Sequence, residues 1–278
     1  MFFLQFKLLL FVGILFCSAH CSAYPRLFGG ESSGVGGCFV LMAEPVSFLY
    51  SPIAIGDIKE TTLGTAFDNK FLVKGLSTSA VVIAVPITQN FISALGYSRF
   101  GSSVYAVNHF AVGGSKSLTE YIELGVRFDF HSETYGNDDR SILKYSAAIA
   151  AKYKFSNDLI AAVLVNEPFS YINNKPPVKP YSDRSLHIGL SKKSQKLQLG
   201  ISVDMPAAYQ PEVTIGIIYF SGLKFKLFSG VSTGPNVFSF GFGYSNDRWA
   251  FSTSSSYHPH IGFSPSTSLI FSFDKSDN

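Results

Sequence analysis

Apolar and polar residues alternate with a period of two over much of this chain. In the stretch YIELGVRFDFH (residues 121–131), every second residue from Ile122 is apolar, whereas Glu123, Arg127 and Asp129 stand between them. Such alternation is typical of a β-strand whose two faces meet different surroundings. The runs are about ten residues long, which matches a tilted membrane-crossing strand and exceeds the usual length of about five or six in soluble sheets.

The alternating runs predict fourteen strands, separated by turn signals such as FDNK and TGPN and by three longer polar loops at residues 113–120, 131–141 and 171–184. An even number of antiparallel strands is the pattern of outer-membrane barrels. We therefore predict an all-β fold, an antiparallel transmembrane β-barrel of about 14 strands over residues 58–273; a soluble β-sandwich is the alternative. The predicted strands cover residues 59–68, 71–87, 91–100, 103–113, 120–132, 142–155, 158–168, 183–192, 195–204, 211–221, 223–232, 236–246, 248–257 and 264–273.

Composition supports the barrel and narrows the class of partner. Charged residues make up 15% of the chain, against about 25% in an ordinary soluble domain, and aromatic residues also reach 15%. No segment after residue 23 has 18 consecutive apolar residues, which excludes membrane-spanning helices. Without its first 23 residues the chain has 21 basic and 19 acidic residues, since Lys7 is lost. This near-neutral balance argues against nucleic acid as a partner.

The first 23 residues have the layout of a secretory signal peptide. Lys7 precedes an apolar run, and small residues lead up to Ala23, where cleavage is expected. An uncleaved anchor and a lipid-modified Cys17 or Cys21 are the alternatives. Cleavage removes both of these cysteines and leaves Cys38 alone, so the mature chain can form no internal disulfide.

The stretch that follows is apolar, rich in glycine and interrupted by prolines. We predict that residues 24–57 form a short N-terminal hatch inside the barrel, because Gly36 and Gly37 permit sharp bends while Pro45 and Pro52 end each short element. A wall strand is the alternative, although prolines are disfavoured in central strands. A final strand with the alternating aromatics Phe271 and Phe273 precedes a polar tail at residues 274–278.

Residues 31–56 resemble the hatch of barrels related to the fatty-acid transporter FadL. The run Gly36-Gly37-Cys38-Phe39-Val40, followed by Ala43-Glu44, Val46-Ser47, Tyr50 and Ser51-Pro52, is similar to the opening of the PorV/PorQ branch, which is associated with type IX secretion. Ser51 replaces the asparagine of that pattern. The resemblance implies that six residues of the hatch pack into the lumen: Gly36, Gly37, Phe39, Phe48, Tyr50 and Pro52.

The same resemblance implies location and function. It places the protein in the outer membrane of a bacterium of the Bacteroidetes type, as a non-enzymatic accessory of protein secretion. Its expected partners are outer-membrane lipid and other secretion or outer-membrane proteins. The alternative is a FadL-like transporter that carries a hydrophobic ligand across the outer membrane. No cofactor and no nucleic acid is expected.

The histidines suggest little chemistry when the chain is considered alone. His258 and His260 lie close enough to share a metal ion, but no third ligand follows at the spacing of a metal site. His109 lies near several serines, yet no nucleophile motif surrounds it. We therefore predict no catalytic residue and no metal ligand.

Overall fold

The computed structural model describes residues 29–136, 141–173, 184–208, 210–222, 224–234 and 238–273. The predicted signal peptide at residues 1–23 and the polar tail at 274–278 lie outside these ranges, as does most of the predicted loop at 171–184. No helix in the described ranges is long and apolar enough to span a membrane.

Fourteen antiparallel strands form a closed barrel within the described ranges, and β1 pairs with β14 to complete it. The predicted fold class is confirmed. The strands are β1 Thr62–Asn69, β2 Ser77–Thr88, β3 Phe91–Gly101, β4 Tyr105–Ser117, β5 Ile122–Tyr135, β6 Ser141–Lys154, β7 Leu159–Asn173, β8 Ser185–Lys193, β9 Leu197–Pro206, β10 Glu212–Phe220, β11 Phe225–Ser232, β12 Phe238–Ser245, β13 Trp249–His258 and β14 Gly262–Ser272.

The outer face of the barrel is apolar all the way round. Each of the fourteen strands exposes at least one large apolar side chain, and on β5 these are alternate residues such as Val126 and Phe128. The residues between them, including Arg127 and Asp129, are buried on the inner face. This is the lipid-out, polar-in alternation of a membrane barrel, and it agrees with the predicted location in an outer membrane.

Aromatic side chains gather at both rims of the apolar face. Near one rim Trp249 contacts Phe271, with ring centroids 4.4 Å apart, and near the other Tyr257 contacts Phe263 at 5.0 Å. Outer-membrane barrels carry such aromatic girdles at the two interfaces between lipid and water. The girdles mark the part of the wall that lies within the bilayer.

The two ends of the barrel differ in the length of their connections. One end holds six turns of two to four residues, together with the start of β1 and the end of β14, whereas the loops at the other end have three to eleven residues. In outer-membrane barrels the short turns face the periplasm and the longer loops face outward. The end with the short turns is accordingly called periplasmic, and the end with the longer loops extracellular.

Three strands extend beyond their predicted ends, several others are a few residues shorter, and β2 differs most at its start. β4, β5 and β7 continue to Ser117, Tyr135 and Asn173, into stretches that were predicted as loops, because their backbones keep pairing with neighbouring strands beyond the apolar band. β2 begins at Ser77, not at residue 71. There Phe71 (φ 58°) takes a left-handed conformation in a 3-10 turn, which a strand cannot include.

Residues 29–57, which we call the inner segment, precede β1 and contribute no strand to the wall. They form a helix α1, Gly30–Gly34, and three 3-10 turns, Phe39–Leu41, Pro45–Leu49 and Pro52–Ile55. Pro45 and Pro52 each begin a turn, where a missing backbone N–H costs nothing. Nearly all of the segment is buried.

Candidate functional site

The inner segment follows the circumference of the lumen and contacts every strand of the wall. Helix α1 packs against β11–β14, and the Phe39–Leu41 turn packs against β7–β9. The chain then crosses to the opposite side, where Pro45–Leu49 contacts β1–β3 and Pro52–Ile55 contacts β4–β6. Strand β10 is reached through Gly216, which lies against Val35 and Cys38.

Three apolar clusters fill the contact between the inner segment and the wall. Phe48 is fully buried among alanines and valines of β1–β4, and Phe39 and Tyr50 pack against β6 and β7. The third cluster holds Cys38 together with Phe228 of β11. Burial of one such large side chain contributes about 1.5–3 kcal/mol. Much of the contact between the inner segment and the wall is therefore apolar, whereas channel lumens in porins are polar.

Glycines on the inner face of the wall allow the segment to approach it closely. Gly189, Gly200, Gly216 and Gly230 occupy lumen positions on the consecutive strands β8–β11. A Cβ atom on Gly230 would lie 2.3 Å from the backbone of Val35, a separation that folded proteins do not tolerate. The wall is shaped around the inner segment at these positions.

Charged groups hold α1 and the middle of the inner segment to the wall. Lys226 donates a hydrogen bond from Nζ to Oε2 of Glu31 at 2.9 Å, and Arg127 donates from Nη1 to the backbone oxygen of Phe48 at 2.8 Å. Glu44 accepts a hydrogen bond from Oγ of Ser252 on β13 at 2.5 Å. Burial raises the pKa of Glu44 to about 7, and the nearby Glu31 carboxylate adds to the shift.

A second ion-pair group lies where the segment leaves the lumen. Lys152 Nζ on β6 is 2.6 Å from Oε2 of Glu123 on β5 and 3.2 Å from Oδ2 of Asp57. Burial opposes ionisation of Asp57, but Lys152 and Lys154 outweigh it and lower the pKa of this carboxyl. Asp57 is therefore ionised at neutral pH and joins the end of the segment to the wall.

His187 on β8 is the centre of a buried polar network against the segment. Its Nδ1 lies 2.5 Å from Oδ1 of Asp204 and 3.1 Å from the hydroxyl of Tyr50, and its Nε2 lies 2.8 Å from Oγ of Ser185 and 3.2 Å from Nδ2 of Asn166. Serine, histidine and aspartate meet here in the order used by hydrolases. The imidazole is 0% exposed, and the network reaches the inner segment through the hydroxyl of Tyr50.

The structure places the six predicted hatch residues in the inner segment. Gly36 (φ 72°) and Gly37 (φ 79°) have left-handed backbones at the bend after α1, a conformation that glycine adopts without steric cost. The four others, Phe39, Phe48, Tyr50 and Pro52, are buried. Their role as a hatch stays a prediction.

His258 and His260 lie near each other as the sequence suggested, whereas His109 belongs to a group that the sequence did not reveal. His258 ends β13, and its ring centroid is 5.9 Å from that of His260, with no third ligand joining them in the described ranges. His109 instead lies beside Asp129 and His131, and these three could hold a metal ion. Sequence reasoning missed this group because its members meet only through the pairing of β4 with β5.

Comparisons with known proteins match the fold but not the sequence. No protein-family model matches the chain, and no characterised protein matches it at significant similarity. Among solved structures, the CymD monoaromatic hydrocarbon channel is similar with a TM-score of 0.68 and 11% identity, over 89% of this chain and 98% of that one. The Ralstonia pickettii toluene transporter TbuX has a TM-score of 0.63 and 10% identity, over 89% and 98%.

A Pseudomonas aeruginosa FadL homologue is also similar, with a TM-score of 0.57 and 11% identity, over 90% of this chain and 99% of that one. The chain therefore has the fold of the FadL-like outer-membrane barrels. Because these neighbours are hydrocarbon channels and transporters, they contradict the predicted role as an accessory of protein secretion. The narrower resemblance to the PorV/PorQ branch finds no support in them.

Proposed function

We propose that this protein is a channel for hydrophobic small molecules across the outer membrane, with the inner segment as its plug. The observation that carries the proposal is the apolar contact between the inner segment and the wall, formed by residues such as Phe48, Val82 and Leu164. A solute that passes between plug and wall meets this surface. Transfer onto it is favourable for an apolar molecule and costly for a polar one, which would lose hydrogen bonds to water.

The structural neighbours support the same class of solute. CymD is described as a monoaromatic hydrocarbon channel and TbuX as a toluene transporter, and both have this barrel fold. In our proposal the six predicted residues of the inner segment, Gly36, Gly37, Phe39, Phe48, Tyr50 and Pro52, belong to the plug. Toluene is therefore the first solute to test.

Passage through the lumen requires the inner segment to move, because the segment contacts every strand around the circumference. A covalent tie between plug and wall should therefore stop transport. The chain offers one half of such a tie, since the thiol of Cys38 lies beside the hydroxyl of Ser202 on β9. Ser202→Cys is nearly isosteric and places a second thiol at that point.

The experiment measures uptake of radiolabelled toluene by cells that make the wild-type protein or Ser202→Cys. We expect wild-type cells to accumulate toluene faster than vector cells, and oxidised Ser202→Cys cells to fall to the vector rate until a reductant opens the disulfide. Ser202→Cys combined with Cys38→Ser is the matched control, which should be insensitive to oxidation. Wild-type uptake at the vector rate would refute the proposed function; uptake through a verified disulfide would refute the moving plug.

A further inference from the structure

The histidine and aspartate group on β4 and β5 lies on the extracellular side of the inner segment. His109 is directly opposite His131 in the pairing of the two strands, and Asp129 is two residues before His131 on the same inner face. Arg127, which contacts Phe48 of the inner segment, is one step closer to the periplasmic end. The group is therefore part of the lumen wall beyond the plug, and His109 is the least buried of its members.

Three potential ligand atoms converge in this group. One nitrogen from each imidazole and one oxygen from Asp129 all lie within 4.8 Å of one another. The ligands of a tetrahedral ion lie about 3.3 Å apart when each bond is about 2.0–2.1 Å. Metal binding therefore requires the side chains to rotate, because the two rings are stacked with nearly parallel planes and their nitrogen lone pairs must turn towards one ion; the three residues share one face of paired strands.

We propose that His109, Asp129 and His131 bind one divalent first-row transition-metal ion, such as zinc, in the lumen. Two imidazoles and one carboxylate are a donor set that suits such ions, and they leave a further position for water or another ligand. The site is independent of the channel function proposed above. It adds a metal ion to the outward half of the lumen.

The two imidazoles lie face to face on the lumen wall. They stack with centroids 4.2 Å apart and planes inclined by 11°, so two protonated rings would repel each other strongly at this separation. Neutral imidazole is the form that binds a metal. Asp129 Oδ1 lies 2.7 Å from Nε2 of His109, and a bound metal ion would replace this hydrogen bond.

Arg127 is the group that opposes a cation here. Its Nε donates to Oδ1 of Asp129 at 2.7 Å, which positions the carboxylate but adds a positive charge. Glu133, two residues beyond His131 on the same buried face, adds a second negative charge to this part of the wall and accepts a hydrogen bond from the hydroxyl of Tyr135 at 2.9 Å. Arg127 also donates to the oxygen of Phe48, so part of its hydrogen-bonding capacity is directed away from the site.

The test is a calorimetric titration of zinc chloride into the purified, chelator-treated protein in detergent. We expect one zinc ion per chain for the wild type, and at least about tenfold weaker binding for His109→Ala and for His131→Ala. The double variant His258→Ala with His260→Ala removes the other close histidine pair and should bind like the wild type. Heat-modifiable migration on gels confirms that each variant is a folded barrel.

The visible absorption of bound cobalt(II) provides a second readout. A purely structural role of the histidines would leave these bands unchanged. Cobalt bound to the wild type should show visible absorption bands, and these should be lost in folded His131→Ala and kept in the His258→Ala and His260→Ala control. Absence of saturable zinc binding to the wild type would overturn the proposal. Unchanged affinity in both single variants, or loss of binding in the control, would overturn it as well.

Discussion

Four glycines determine how closely the inner segment can approach the wall on β8–β11. Each occupies a lumen position where a side chain would collide with the segment, and at Gly216 and Gly230 the collision involves its backbone. A flexible side-chain tip can move aside, whereas the backbone of Val35, held at the start of the bend formed by the left-handed Gly36 and Gly37, moves only at a larger cost. Small residues in the wall therefore set the position of the inner segment.

Replacing Gly230 by alanine should destabilise the folded protein. The new Cβ would lie 2.3 Å from the backbone carbon of Val35, and such overpacking costs about 1–3 kcal/mol. Gly64→Ala is the matched control, because its Cβ would meet only side-chain atoms of Pro45 and Val46, at 3.1 Å and beyond. Both changes reduce backbone entropy of the unfolded chain similarly, so the difference reports the contact.

The measurement is the denaturant midpoint of both variants in detergent. Equal midpoints for Gly230→Ala and Gly64→Ala would contradict the close approach of the inner segment to β11.

The position of a single residue was predictable where alternation or residue type determines it. Clusters that form only through the pairing of different strands were not predictable. The inward position of Arg127 follows from alternation alone, and Phe39 and Phe48 were expected to pack inside. The His187 network and the His109 group were not, because each joins residues from different strands whose register no single run reveals. Glycines at inward positions, such as Gly200 and Gly216, were an available signal for a close internal neighbour.

The two faces of each strand meet different surroundings, lipid on one side and the lumen on the other, as β5 shows. Its outward residues form an apolar band from Ile122 to Phe130, while its inward residues include three that contact or face the inner segment: Glu123, Gly125 and Arg127. The outward face is constrained only by lipid. The inward face is constrained by the specific atoms of the segment.

An arginine on the lipid-facing side of β5 should destabilise the barrel by an amount that depends on its depth in the bilayer. Val126→Arg places the charge near the middle of the apolar band and should cost about 2–4 kcal/mol, whereas Ile122→Arg, on the same face near the periplasmic turn, should cost about 0–1 kcal/mol. Unfolding of both variants in lipid vesicles measures the difference. A larger loss for Ile122→Arg would place the bilayer at a different height on the wall.

Strand number and strand faces were predictable, but strand ends were less so. All fourteen predicted runs correspond to strands, because lipid on one face enforces alternation along the whole crossing. Beyond the lipid this constraint disappears, so polar stretches such as residues 131–135 look like loops although they remain paired. There the neighbouring strand determines where a strand ends, and the sequence of a single strand does not identify that neighbour's register.

For the molecule as a whole, the sequence predicted the fold correctly and the function wrongly. Residues 31–56 led to the correct group of barrels and the wrong role, because a glycine-rich, proline-broken segment reflects how a lumen is filled and carries no information about cargo. The feature that bears on function is the apolar contact between the inner segment and the wall, which the three clusters around Phe39, Phe48 and Phe228 form.

Removal of residues 30–56 should leave a barrel with an open lumen. In the part of the chain that the structure describes, the strand ladders of the wall join residues from Thr62 to Ser272, so the pairing of strands does not include the inner segment. We expect the shortened protein to insert in planar bilayers with larger and more frequent conductance steps than the complete chain. The complete chain recorded under the same conditions is the control, and loss of heat-modifiable migration on deletion would show that the wall depends on the segment.

The closure of β1 on β14 has a consequence for biogenesis. These two strands are separated by almost the entire chain, yet their pairing completes the ring around a segment that touches every strand. A finished ring offers no route by which a folded segment of this breadth could enter sideways. The inner segment is therefore either enclosed when β1 pairs with β14 or enters afterwards along the barrel axis, through the end where it is joined to β1.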